Sequence, residues 1–180
     1  MAYVEQESFA PSDDAYAVFG VTSFREKWIS HSFVAGSSYT LTQLAVKIYK
    51  NGSPTDSITA AIYDGEETFH TPVNSLGEST NSVDLSTLST TPGAYVNFTF
   101  AGVALTNGTR YHVILKRSTV GDPNYPGWRT DTSSQSQYQR YSADGGSWAD
   151  TGGLGATIQG TFKTYIDGAS PDSNFFFRAW

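Results

Sequence analysis

The residue types with the clearest chemistry cluster in the last third of the chain, where Tyr125, Trp128, Tyr138, Tyr141 and Trp148 alternate with Arg129, Arg140 and a scatter of Asp, Asn, Ser and Gln. A pyranose ring offers an apolar C–H face and a rim of hydroxyls, so its recognition combines flat aromatic walls with a few planar polar side chains. Tyr125, Trp128, Arg129, Tyr138, Arg140 and Trp148 supply that mixture and are the candidate ligand-binding residues. Core packing is the competing reading for both tryptophans. If 127–129 is a strand, Trp128 and Arg129 point to opposite faces, and an exposed Arg129 puts Trp128 inside.

Bond-making chemistry finds less support. His31, His70 and His112 are scattered, and Glu67 with His70 falls in a loop rather than on a helix that would present zinc ligands. No Gly-x-Ser-x-Gly elbow is present. Gly152-Gly153-Leu154-Gly155 lacks the strand-to-helix setting of a dinucleotide loop. Acid pairs such as Asp64 with Glu66 or Asp131 with Asp144 are not singled out by spacing as glycosidase carboxylates or calcium ligands. The expectation is a protein that is not an enzyme and uses no cofactor or metal.

The elements that must position these residues read as strands. Ile58, Ala60 and Ile62 alternate with Thr59 and Ala61, Val96, Phe98 and Phe100 with Asn97 and Thr99, and Tyr111, Val113 and Leu115 with His112, Ile114 and Lys116. Further strands are expected at 28–34, 41–49 (Leu44, Val46 and Ile48 on one face), 127–130, 137–142, 157–161 and 174–180. Asn51-Gly52-Ser53-Pro54, Asp64-Gly65, Thr91-Pro92-Gly93, Asn107-Gly108 and Asp144-Gly145-Gly146 are turn signals. Residues 66–89 read as a long connection holding one short strand around Val83-Asp84-Leu85. The first dozen residues lack alternation and read as an arm. The expected architecture is all-β, a single antiparallel β-sandwich, jelly-roll-like, with a short N-terminal arm over 1–14 and the sandwich over 15–180.

Composition narrows the partners. The 180 residues carry 11 Lys and Arg against 17 Asp and Glu, a formal charge of −6, and no Cys. Nucleic-acid affinity rests on cations that neutralise phosphates, so a nucleic-acid partner is not expected, nor is an anionic membrane. The opening Met1-Ala2-Tyr3-Val4-Glu5-Gln6-Glu7 has neither the basic nor the apolar region of a secretion signal, and no long apolar run follows.

The segments Trp28-Ile29-Ser30-His31-Ser32-Phe33, Ser38-Tyr39-Thr40-Leu41-Thr42-Gln43-Leu44-Ala45-Val46-Lys47-Ile48-Tyr49-Lys50-Asn51-Gly52-Ser53-Pro54, Ala104-Leu105-Thr106-Asn107-Gly108-Thr109-Arg110-Tyr111 and Phe175-Phe176-Phe177-Arg178-Ala179-Trp180 resemble a β-sandwich module common in bacteriophage and metagenomic proteins. That module is similar in layout to galactose-binding-like and carbohydrate-binding jelly rolls. The resemblance implies the fold, carries no catalytic signature, and leaves function to the site. A local resemblance sits at Ser142-Ala143-Asp144-Gly145-Gly146-Ser147-Trp148, which looks like an Asp-box hairpin one residue short before the Trp, a folding device in its usual settings.

The leading expectation is a non-enzymatic virion accessory protein: a capsid decoration protein, head fibre or tail-associated module. It is assembled in the host cytoplasm, where no export signal or disulfide is needed. Its expected partners are copies of itself, as in a trimer, other virion proteins, and glycans gripped through multivalent display. The alternative is a carbohydrate-binding module of a secreted or cell-surface system.

Overall fold

The computed structural model describes residues 2–9, 15–18, 28–66, 71–91, 93–119, 124–131, 139–150 and 159–168. In chain order the strands are β1 (Tyr3–Phe9), β2 (Ala15–Val18), β3 (Trp28–Val34), β4 (Tyr39–Asn51), β5 (Ser57–Glu66), β6 (Thr71–Glu78), β7 (Val83–Asp84), β8 (Tyr95–Leu105), β9 (Arg110–Arg117), β10 (Tyr125–Asp131), β11 (Gln139–Ser142), β12 (Ala149–Asp150), β13 (Gln159–Gly160) and β14 (Phe162–Asp167). One 3-10 turn, η1 (Leu85–Thr87), follows β7 among the described residues. Asp84 caps it, its Oδ1 accepting from Ser86 N at 2.8 Å. No helix among the described residues is long and apolar enough to cross a membrane.

Two antiparallel sheets form an all-β sandwich. The first runs β1-β14-β4-β10-β13, with β2 on β10 and β8 on β4; the second runs β12-β11-β3-β9-β5-β6, with β7 on β5. Successive strands change sheet: β3, β4 and β5 lie in the second, first and second, and β8, β9, β10 and β11 in the first, second, first and second. That alternation gives the sandwich its jelly-roll-like character. It also delivers inward-pointing side chains from distant segments to one core.

The alternation read from the sequence is the alternation of the core. Leu44, Val46 and Ile48 of β4, Phe98 and Phe100 of β8, Ile58, Ala60 and Ile62 of β5, and Tyr111, Val113 and Leu115 of β9 are buried together. Phe33 and Phe162 meet edge-on at 5.4 Å between ring centres, and Phe9 stacks on Phe162 at 4.7 Å.

Three expected features differ. Residues 3–9 of the expected arm form β1, hydrogen-bonded along β14 from Tyr3↔Asp167 to Phe9↔Phe162. A bulge at Gln6 resets the side-chain parity and hides the alternation from a period-two reading. The connection over 66–89 holds β6 as well as the expected short strand β7. Two register shifts opposite Tyr63 and Asp64 of β5 leave first Leu76 and then Val73-Asn74 of β6 out of step and break its pattern, and Asp64 fills the second irregularity by accepting Asn74 N at 2.8 Å and Asn74 Nδ2 at 3.1 Å. Strand β14 was not singled out because its inward row, Phe162 and Thr164, includes a buried polar residue. The expected strand at 174–180 lies outside the described residues.

Candidate functional site

Every inward residue fixes an outward neighbour, and in the first sheet those neighbours form an aromatic and polar surface. With Leu44, Val46 and Ile48 inside, β4 turns Gln43, Ala45, Lys47 and Tyr49 outward; β8 turns out Tyr95, Asn97 and Thr99; β14 turns out Lys163, Tyr165 and Asp167. On β10, inward Trp128 places Tyr125, Gly127 and Arg129 on the same outer face. Tyr49, Tyr95, Tyr125 and Tyr165 are all half-buried, with rings partly open to solvent. Measured along β4 from Tyr49 to Thr40, the face is roughly 30 Å long at the usual rise of an extended strand.

Cross-strand register assembles the middle of this face. Lys47 lies opposite Tyr95, Ala45 opposite both Asn97 and Lys163, and Gln43 opposite both Thr99 and Tyr165. The Lys163 ammonium sits 2.8 Å from Glu5 Oε2 and 5.4 Å from the Tyr95 ring centre, and Lys47 lies 5.8 Å from that ring centre. The Tyr165 hydroxyl donates to the same Glu5 oxygen at 3.4 Å. The hydrogen bond to Glu5 raises the Lys163 pKa, so its charge is held at neutral pH. Burial, reinforced by the Glu5 charge, raises the Tyr165 pKa and keeps that phenol protonated as a donor. Ala45 is small and lets the longer side chains lie flat above it.

At the far end Tyr49 lies across Gly127, its register partner on β10. A Cβ added to Gly127 would fall inside the volume of the Tyr49 ring, so the glycine is what lets the ring lie down on the sheet. Gly127→Ala is expected to displace Tyr49 and weaken ligand binding several-fold, while Tm falls by no more than a few degrees, because the obstructing atoms are the mobile end of a side chain. Comparing Tm and affinity on the same variant checks this. A large stability loss would mean that the ring is locked into the fold.

The sequence-selected residues are divided by the fold. Tyr125 and Arg129 lie on this face. Trp128 does not: it is 0% exposed, its Nε1 donates to Thr161 O at 3.1 Å, and its ring meets His31 edge-on at 4.4 Å. A ring with no open face cannot stack on a sugar, so Trp128 leaves the ligand-binding set and joins the core. Arg140 and Trp148 belong to the other sheet, Arg140 on β11 opposite Ser30 and Trp148 just before β12. Tyr138 lies outside the described residues.

Trp148 belongs to a compact corner. Asp144 Oδ1 accepts from Gly146 N at 2.8 Å and Ser147 N at 3.3 Å, while Ser142 Oγ accepts from Gly145 N at 2.8 Å. The bonds to Asp144 from Gly146 N, Ser147 N and the Ser142 hydroxyl, led by the first, hold its carboxyl below the usual aspartate range. Gly145 has φ +82° and lies against the Trp28 ring, and Trp28 and Trp148 meet at 6.3 Å, tilted by 59°. Lys116 closes Trp28 from the sheet side at 4.2 Å from its ring centre, reaches within 5.3 Å of the Tyr63 ring, and pairs with Glu78. This chain's own lysine therefore fills the place where a ligand cation would sit between Trp28 and Tyr63.

Ser30 Oγ and His112 Nδ1 are 3.0 Å apart, the spacing of a hydroxyl nucleophile and its base. Both residues are 0% exposed, so no acyl group can approach them. Among the described residues, no group of three or more His, Cys, Asp or Glu could hold a metal ion.

The chain matches no protein-family model and no curated protein.

The weight of the site therefore rests on geometry, and most of its residues were not selected from the sequence. Tyr49, Tyr95, Tyr165, Lys47, Lys163 and Glu5 occupy the outer face. The signal for two of them was present, since placing Leu44, Val46 and Ile48 on one side of a strand places Lys47 and Tyr49 on the other.

Proposed function

We propose that this chain is a non-enzymatic accessory protein of a bacteriophage particle, a capsid-decoration, head-fibre or tail-associated module, that assembles onto the particle and adheres to glycans through the outer face of its first sheet. The observation that carries the adhesive half is the gathering of Tyr49, Tyr95, Tyr125 and Tyr165 on one sheet surface, with Asn97, Lys47, Lys163 and Glu5 between them. Rings accept the C–H face of a pyranose, while amides and charges take its hydroxyls. A rigid sheet presents them with little ordering cost, and repeating a weak site over a particle multiplies its avidity.

Exposed apolar side chains on edge strands support the assembly half. Tyr3 and Val4 on β1 are 41% and 47% exposed, and Val73 and Leu76 on β6 are 57% and 41% exposed. Such edges pair readily with a neighbouring chain. The β8 edge, by contrast, is closed from within: Thr80 N donates to Thr99 O at 2.7 Å, and Asn81 Oδ1 accepts from Thr99 N at 2.8 Å.

Tyr95→Ala and Tyr165→Ala are each expected to weaken binding to a responsive polysaccharide by about tenfold or more, with Tm within a few degrees of the parent. Retained affinity in both variants would remove the face from the reading. Immunogold microscopy of the source culture tests the particle half. Regular labelling of capsids or tails is the expected result, and labelling confined to cell walls or extracellular polysaccharide would instead assign the same face to a carbohydrate-binding module of a secreted or cell-surface system.

A further inference from the structure

The ladder between β14 and β4 stops at Tyr165↔Gln43. Two irregularities lie just beyond it: the β4–β8 register shifts between Leu41 and Gln43, where Thr42 stands against residues 100–102 of β8, and β1 shifts against β14 between Glu5 and Glu7, leaving Gln6 as the extra residue. Bulges bend strands and re-aim their side chains. The strands part here, and a cavity of about 400 Å³ opens, walled by Tyr39 and Ile166 and lined by Gln6, Ser38, Thr40, Thr42 and Asp167.

The chemistry of the lining is selective. The Thr40 hydroxyl and the Gln6 amide can donate and accept, Ser38 Oγ already accepts from Asn107 N at 2.9 Å and keeps its proton to donate, Thr42 Oγ1 donates to Tyr165 O at 3.5 Å and keeps its lone pairs to accept, and the Asp167 carboxylate accepts from paired hydroxyls. Tyr39 is held in place by its hydroxyl, which donates to Thr164 Oγ1 at 2.9 Å and which burial keeps protonated. No Lys or Arg lines the cavity, which disfavours a phosphate or carboxylate ligand. A single carboxylate falls short of the oxygen cage that calcium takes. The volume lies at the small end of ligand sites, enough for a ring or two.

Position agrees with chemistry. Asp167 lies two residues beyond Tyr165 on the same face of β14, and Gln6 follows Glu5 on β1, so the slit terminates the tyrosine face.

We propose that this slit is a subsite for one neutral sugar ring, the terminal unit of a glycan laid along the outer face of the first sheet, with Asp167 and Gln6 as its hydroxyl-reading groups. The proposal rests on the glycan-adhesion reading above and adds to it a site that reads an end rather than a length of chain.

Free D-galactose, D-glucose and N-acetyl-D-glucosamine, titrated separately into ¹⁵N-labelled protein, test it. At least one is expected to shift the amides of Ser38, Thr40, Thr42 and Asp167 with a millimolar Kd. Asp167→Ala and Gln6→Ala should each weaken that response by about tenfold or more; Asp167 is exposed, so its truncation leaves the fold intact. If a polysaccharide binds in a Tyr95-dependent way and none of the three sugars moves the slit amides, the subsite is refuted and the adhesive face stands. If neither polysaccharide nor free sugar binds, both readings fall together.

Discussion

Trp128→Ala is expected to destabilise the protein by about 3–5 kcal/mol, a fall in Tm of about 10 °C for a chain of this size. The ring is wholly buried and wedged between the sheets. Its indole N–H reaches Thr161 O, its ring and that of His31 meet nearly at right angles at 4.4 Å, and Phe162 lies at 6.4 Å. Gly160 permits this approach, since a Cβ there would stand 2.7 Å from atoms of both His31 and Trp128. Truncation empties a space that the strands cannot close, because β10 is held by β4 on one side and β2 on the other. Trp128→Phe, which refills most of that volume and gives up the indole hydrogen bond, should recover more than half of the loss. Urea unfolding of both variants measures the difference. A loss below about 1 kcal/mol for Trp128→Ala, accompanied by lost glycan binding, would restore the ring to the ligand-binding set and overturn its assignment to the core.

Why Trp128 was ambiguous from the sequence explains what a sequence of this kind reveals. Strand alternation says that Trp128 and Arg129 face opposite ways, but not which side is covered, because a two-sheet protein has an inner and an outer face for every strand. Where several apolar residues alternate, as in 58–62, 96–100 and 111–115, the answer was readable and the core follows from it. Where an aromatic stands alone among polar residues, only the partner strand decides. The bulge at Gln6 in β1 and the extra residues of β6 opposite Tyr63 and Asp64 add a further limit, since each shifts parity and erases the period that would announce a strand. That loss hid β1 and β6, and with them Glu5, which joins Lys163 and Tyr165 on the outer face. It also hid the slit, which opens where the Gln6 bulge lies beside the end of the β14–β4 ladder. The Asp144 turn, by contrast, was readable because its bonds are local: the carboxylate and its amide partners lie within three residues of one another.

The end of the sandwich beside Tyr125 depends on one buried ion pair, and Asp56→Ala is expected to cost about 3–5 kcal/mol there. Asp56 and Arg117 side chains are 7% and 2% exposed, joined through Nε to Oδ2 at 2.6 Å and Nη2 to Oδ1 at 3.1 Å. Thr119 donates to the same carboxylate at 2.9 Å, and Arg117 Nη2 also donates to Asn124 O at 3.0 Å, just before β10. Asn124 Oδ1 in turn accepts from Ser53 N at 2.8 Å. Removing Asp56 strands a guanidinium in a dry site and loosens the start of the strand that carries Tyr125. Asp56→Ala combined with Arg117→Met should therefore be less damaging than Asp56→Ala alone, since no unpaired charge remains. Burial pushes the Asp56 carboxyl up, but the hydrogen bonds from Arg117 and Thr119 and the Arg117 charge pull it below the ordinary aspartate range. A carboxyl whose native pKa lies below its unfolded value of about 3.9 contributes stability that is fully present above that pH and is lost as pH falls through the native value. The unfolding free energy of the parent should thus decline on acidification below about pH 4 more steeply than that of Asp56→Asn, which has no proton to take up at this site. Urea titrations of the parent and the two Asp56 variants between pH 7 and pH 2.5 measure both effects. Parallel pH profiles for parent and Asp56→Asn would show that the pair contributes no charge-dependent stability and that the start of β10 is held by packing alone.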